Sequence, residues 1–133
     1  MNCLHGVVHQ LHSSGSILLA DIDVEDVIIS ASLISNGKEH DWLAVGKDVS
    51  VIFKETEVSL AKNLSGKLSI RNRLICSVKT IEIGTILSKV VLQFRNTTIE
   101  SVVTTRAITS LELAIGNEVE ALIKANEVSL MRN

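Results

Sequence analysis

The chain repeats itself at an offset of seventy residues, and this internal repeat limits the folds that it can form. Three segments of the first half have counterparts in the second half: residues 45–49 with 115–119, 54–60 with 124–130, and 15–18 with 84–87. The first two pairs share one offset, and the third differs from it by one residue, as a change in loop length would produce. We therefore interpret the chain as two copies of one small unit, residues 1–61 and 68–133, connected through the small and polar residues 61–67.

Each copy has the sequence pattern of β-structure. Residues 27–29 and 89–92 are β-branched runs bounded by turn residues, and residues 118–123 begin with polar and apolar residues in alternation. Proline, which removes a backbone donor from a strand, is absent from the sequence. Residues 105–113 instead show helical spacing, with Thr104 or Thr105 as the N-cap. The sequence thus predicts an all-β fold of two small, closed or nearly closed barrels, each with about five strands and one short helix.

The composition argues against several classes of function. Aromatic residues make up 2% of the chain and the formal net charge is −2, which disfavours nucleic-acid binding, including the oligonucleotide binding of some small barrels. No apolar run approaches the roughly 18 residues of a membrane span. Residues 1–5 lack a basic start followed by an apolar stretch, so we expect no secretory signal and a cytoplasmic protein. Cys3 and Cys76 match no metal-binding spacing, and we expect reduced, buried thiols.

Three motifs of the second copy follow one another in an order typical of one family. They are Ser69-Ile70-Arg71-Asn72, then Val-Val-Thr-Thr at residues 102–105, then residues 115–125 with their final Ile-Lys-Ala. In this order they resemble the TOBE-type Mop domain of molbindins, molybdate-responsive transcription regulators and molybdate-importer ATPases. The resemblance covers the second copy nearly end to end and the first copy through residues 45–60. It implies tandem OB-like barrels that bind molybdate or tungstate between the subunits of a homo-oligomer, a dimer or a trimer, without a further cofactor.

The motif residues also have the chemistry that a tetrahedral dianion requires. The guanidinium of Arg71 and the ammonium of Lys124 can together neutralise two negative charges, while Ser69 and Thr104 offer hydroxyl donors. Backbone N–H groups at the start of the predicted helix and at Ala125 add further donors. The resemblance therefore implies an oxyanion site formed by the following residues: Ser69, Ile70, Arg71, Asn72, Thr104, Thr105, Ala107, Lys124 and Ala125.

The first copy departs from this pattern. At the offset of seventy, Met1 and Ile34 take the places of the motif arginine and threonine. Lys54 is retained, but Glu55 adds a negative charge beside it. Within the second copy, Ala107 stands where some family members carry a serine ligand. We therefore expect the second copy to bind the anion, and Lys54 is a weaker candidate in the first.

Two functions from different classes fit these features. One is a free-standing binder that stores or buffers molybdate or tungstate, and the other is a regulatory or interaction module that reports ligand occupancy to a molybdate importer or regulator. Catalysis is not indicated, because no nucleophile–base arrangement, phosphate-binding glycine loop or metal-ligand cluster can be inferred. His5, His9 and His12 would share one face of a helix. In the strand that the repeat predicts there, His12 would point away from the other two, which favours surface or interface histidines over a metal site.

Overall fold

The computed structural model describes residues 1–35 and 41–133, and its secondary structure there is mainly strand. The ten strands of these residues are β1 (Asn2–Ser14), β2 (Ile17–Val24), β3 (Val27–Ile34), β4 (Asp48–Phe53), β5 (Ser59–Ala61), β6 (Asn72–Glu82), β7 (Leu87–Phe94), β8 (Thr97–Thr104), β9 (Glu118–Ile123) and β10 (Ser129–Arg132). One helix, α1 (Thr105–Ser110), and the 3-10 turns Glu55–Glu57 and Ala125–Glu127 complete the described elements. The predicted all-β class is confirmed. The helix expected in the first copy falls largely on residues 36–40, which lie outside the described residues.

The strands form two five-stranded antiparallel sheets built on the same plan. The first sheet has the order β10-β4-β1-β2-β3 and the second has the order β5-β9-β6-β7-β8. The first and last strands of each sheet approach each other. This near-closure gives each sheet the OB-like form that the resemblance implies.

Each copy contributes its last strand to the sheet of the other copy. Strand β5 pairs with β9, with Ser59 opposite Leu122, and β10 pairs with β4, with Ser129 opposite Ile52. Each sheet therefore contains strands from both sequence copies. The copy boundaries inferred from the sequence, at residues 61 and 68, stay a prediction. Because of the exchange, neither sheet can be completed by one copy alone.

The cores are built from aliphatic side chains, as the aromatic-poor composition requires. Alternate residues of β7 and β8 are buried, which is the pattern of strands with one face on a core. Phe53 and Phe94, the two phenylalanines, are among the largest fully buried side chains. Burial of one such large apolar side chain contributes roughly 1.5–3 kcal/mol to folding.

A β-bulge occurs at the same place in both copies, and it explains the glycine of the repeated motif. In the second copy the register of β6 shifts between Val78 and Thr80. The backbone of Val78 then bonds to the segment before β9, accepting from the N–H of Gly116 at 2.8 Å and donating to the carbonyl of Asn117 at 2.9 Å. Gly116 has a φ of +90°, a conformation that side-chain-bearing residues rarely adopt. The first copy repeats this geometry around Val8.

The bulge in β1 overturns the predicted orientation of His12. Before the bulge His5 is exposed and the even-numbered residues face the core; after it Leu11 turns inward and His12 is exposed. The extra residue shifts the alternation by one, so His12 does not point away from His5 as predicted. His12 lies 3.8 Å from the carboxylate of Asp21. Among residues 1–35 and 41–133, no three histidine, cysteine or acidic side chains converge on a metal-sized position.

The two cysteines differ in burial. Cys76 is buried, as predicted, and burial raises the pKa of its thiol to about 12. Cys3 is exposed, so the prediction of a buried thiol was wrong there. The reason is local, because Cys3 occupies an outward-facing position of β1 between the buried residues Asn2 and Leu4.

Candidate oxyanion site

Strands β6 and β9 bring Arg71 and Lys124 side by side. The ladder between these strands ends at the pair Asn72 and Ile123, and Arg71 and Lys124 are the next residues beyond it. The Cα atoms of opposed residues in an antiparallel pair lie about 5 Å apart, so the two cationic residues are neighbours just beyond the end of the ladder. Both residues are exposed. Within the described part of the chain, neither side chain takes part in an ion pair or a hydrogen bond.

Three more of the predicted residues flank this pair of cations. Ser69 is exposed and Ile70 is half-buried in the segment that enters β6. Ala125, half-buried, begins the 3-10 turn that follows Lys124. The structure thus gathers five of the predicted residues at one end of the β6–β9 pair, where they present two positive charges and one side-chain hydroxyl.

Asn72, also predicted as a ligand, has its side chain directed elsewhere. It is 1% exposed, and its Oδ1 accepts from the backbone N–H of Ser30 at 2.8 Å while its Nδ2 donates to the Ser30 carbonyl at 2.9 Å. Ser30 lies on β3, in the other sheet. The amide of Asn72 therefore connects the start of β6 to the first sheet.

Thr104 ends β8 and caps helix α1, as one of the two sequence alternatives predicted. Its Oγ1 accepts from the backbone N–H of Ala107 at 3.1 Å, which leaves the hydroxyl proton of Thr104 available for another acceptor. The helix ends at Ser110, three residues earlier than the helical spacing predicted. Lys62 donates to the carbonyls of Leu111 and Glu112, which lie just beyond the helix.

Thr105 has its hydroxyl engaged inside the protein. The Oγ1 atom donates to the carbonyl of Gly84 at 2.8 Å and lies 2.7 Å from the hydroxyl of Ser88, which is 2% exposed. These bonds fix the β6–β7 connection against the start of α1. Ser88 directly follows the repeat-matched segment 84–87, and no sequence motif marks it as a functional residue.

The predicted residues fall into two groups that lie on different strands of the second sheet. Thr104 pairs with Leu87 at the start of β7, and β7 begins beside the end of β6. Arg71 precedes Asn72 at the other end of β6. Two pockets of the described structure are lined by Thr104 together with Thr105 or Ala107, and neither pocket includes Arg71 or Lys124.

In the first copy, the corresponding charges are arranged differently. Lys54 is exposed, and the carboxylate of Glu55 forms an ion pair with the amino group of Met1. By the repeat offset, Met1 occupies the place of Arg71 and Glu55 that of Ala125. A carboxylate thus lies where the second copy has a neutral residue, which disfavours an anion there.

Comparison with known proteins identifies the class of this protein. The family model of the TOBE domain matches residues 68–130. A search of curated proteins finds no match. A crystal structure of the cytoplasmic molybdate-binding protein ModG with molybdate bound is 33% identical, has a TM-score of 0.94, and aligns over 99% of this chain and 96% of that chain. A molybdate-binding protein from Sporomusa ovata is 37% identical over 45% of this chain and 90% of that chain, with a TM-score of 0.44.

The chain therefore belongs to the Mop/TOBE domain family, in the tandem arrangement of ModG. The alignment with ModG extends through both copies, so the family assignment covers the degenerate first copy as well. ModG is a molybdate-binding protein rather than an enzyme, in agreement with the prediction. No helix among the described residues is both long and apolar enough to cross a bilayer.

Proposed function

We propose that this protein binds molybdate or tungstate in the cytoplasm and serves to store or buffer the oxyanion. The observation that carries the proposal is the adjacent placement of Arg71 and Lys124 without an ion-pair partner in the described structure. Two neighbouring cations repel each other, and a bound dianion would turn this repulsion into attraction. The molybdate bound to the similar protein ModG supports the choice of ligand.

In this proposal the ligand lies at a contact between chains of a homo-oligomer. Ser69, Arg71, Lys124 and the backbone of Ala125 supply one side, and Thr104 of a neighbouring chain supplies the other through its free hydroxyl proton. The pockets that Thr104 lines within one chain include neither Arg71 nor Lys124, which supports this arrangement. Thr105 and Ala107 would contribute only through their backbone.

Titration calorimetry with molybdate, tungstate, sulfate and phosphate tests the proposal. A site made of donors favours a fully deprotonated dianion, whereas phosphate near neutral pH often retains a proton that finds no acceptor. Sulfate is fully ionised but smaller, so it cannot reach all donors at once. We expect tight binding of molybdate and tungstate and much weaker binding of the other two. Equal affinity for all four ions would contradict a dedicated site.

A further inference from the structure

The same two-bond clamp occurs twice in the molecule, once in each copy. Asn72 bonds to both backbone groups of Ser30, as described above. Asn2, seventy residues earlier, accepts from the N–H of Glu100 at 2.8 Å and donates to the Glu100 carbonyl at 2.8 Å. Both asparagines are buried, at 1% and 5% exposure, and each is the first residue of its strand.

Each clamp replaces a missing strand neighbour. Ser30 lies on β3 and Glu100 on β8, and these are the last strands of their sheets. An edge strand leaves alternate N–H and C=O groups without a ladder partner, and a primary amide can bond to both groups of one residue as a peptide unit would. The clamp thus satisfies partly buried backbone groups and joins the start of one sheet to the edge of the other.

The two clamps differ in what they hold. Asn72 directly follows Arg71, and its ladder partner Ile123 directly precedes Lys124. The turn Ala125–Glu127 also packs against β3. Strand β3 of the first copy therefore contacts both segments that carry the candidate oxyanion site. Asn2 follows Met1, and its ladder partner Phe53 precedes Lys54, so its clamp lies beside one lysine and no arginine.

We propose that Asn72 is a positioning residue for the oxyanion site, and this inference rests on the proposed function. By fixing the start of β6 on Ser30, the amide holds the backbone that presents Arg71 beside Lys124. Without the Asn72 amide, the end of the β6–β9 ladder can fray, and Arg71 is no longer preorganised to bind the ion. The first copy then acts as the platform for a site in the second copy, although its own ligand motif is degenerate.

The symmetry of the clamps provides a matched control. Asn72→Ala and Asn2→Ala each remove two equivalent bonds from a buried asparagine, so both should lower the melting temperature by a similar amount. Only Asn72→Ala should weaken molybdate binding, by about tenfold or more, as loss of outer-shell support does in metal sites. Hydrogen exchange at the Ser30 amide should accelerate in Asn72→Ala alone. Calorimetric titration of both variants and the parent protein measures the affinities.

Each outcome distinguishes the two proposals. If the parent protein does not bind molybdate, the proposed function is wrong and the positioning role falls with it. If the parent binds and the two variants retain or lose affinity equally, Asn72 has a structural role alone and the positioning proposal is wrong. If the alanine variants do not fold, Asn72→Leu and Asn2→Leu keep the buried volume while removing the same bonds, and the same comparison decides.

Discussion

Arg73 and Glu120 form a two-bond ion pair across strands β6 and β9, with Nε 2.6 Å from Oε2 and Nη2 2.9 Å from Oε1. Parallel bonds of this kind give the pair a fixed geometry. Arg73 lies within β6, two residues after Arg71, and its charge is matched within the protein. The contrast between a paired and an unpaired arginine indicates which of the two is available to an anion.

This pair gives the stability a defined pH dependence. Hydrogen bonds from Arg73 hold the pKa of the Glu120 carboxyl below its ordinary value of 4.5. A carboxyl with a lowered folded-state pKa contributes stability above its unfolded-state pKa, and the contribution disappears as the pH falls through the folded-state value. Glu120→Gln should therefore unfold at lower denaturant concentration than the parent at pH 7, with the difference closing in acid. A difference that is constant from pH 7 to pH 2 would contradict this account.

Gly116 should be sensitive to substitution because of its backbone conformation. A Cβ there would meet no atom within 4 Å, so the cost of Gly116→Ala comes from the φ of +90° alone. We expect a loss of about 1–3 kcal/mol in the free energy of unfolding. Gly116→Asn should cost less, since asparagine tolerates positive φ better than alanine does. Urea denaturation measures both variants, and an unchanged midpoint for the alanine variant would show that the turn relaxes.

A site shared between chains can be restored by mixing defective chains. Arg71→Ala removes the cation, and Thr104→Val removes the hydroxyl donor together with a helix cap worth roughly 1 kcal/mol. Each variant alone should bind molybdate weakly. After the two are unfolded together and refolded as mixed oligomers, a minority of interfaces pairs an intact Arg71 with an intact Thr104, and tight binding should reappear at those sites. Absence of any restored tight site, with mixed oligomers verified by native mass spectrometry, would place the ligand within one chain.

Sequence reasoning reached the class of fold because the repeat and the strand patterns are local signals. Residues 118–123 were predicted as a strand and form β9, and Thr104 was one of two predicted caps. The strand exchange could not be inferred, because the last strands of the two copies have similar sequences. Either strand could pair with the edge of either sheet. The bulge at Val8 was missed for a related reason, because Val8 forms its backbone hydrogen bonds there with the distant residues Gly46 and Lys47.

The candidate site was predictable as a set of residues but not as an arrangement. The motif order identified Arg71 and Lys124, and the pairing of β6 with β9 explains why these two residues lie close together. The same motif grouped Asn72 with the ligands, and only the tertiary fold shows its amide bonded to Ser30. The match between Asn2 and Asn72 at the repeat offset was present in the sequence and would have suggested a shared structural role.

The central claim is that Arg71 and Lys124 of the second copy bind the oxyanion, and one set of titrations tests it most directly. Molybdate affinity is measured by calorimetry for the parent protein, Lys124→Ala and Lys54→Ala, which alter repeat-equivalent lysines. Removing one partner of a charge interaction costs roughly 2–5 kcal/mol, so Lys124→Ala should weaken binding by about thirty- to several-thousand-fold. Lys54→Ala should cost less than about 1 kcal/mol, as an exposed surface charge does. Binding abolished by Lys54→Ala but preserved in Lys124→Ala would contradict the account.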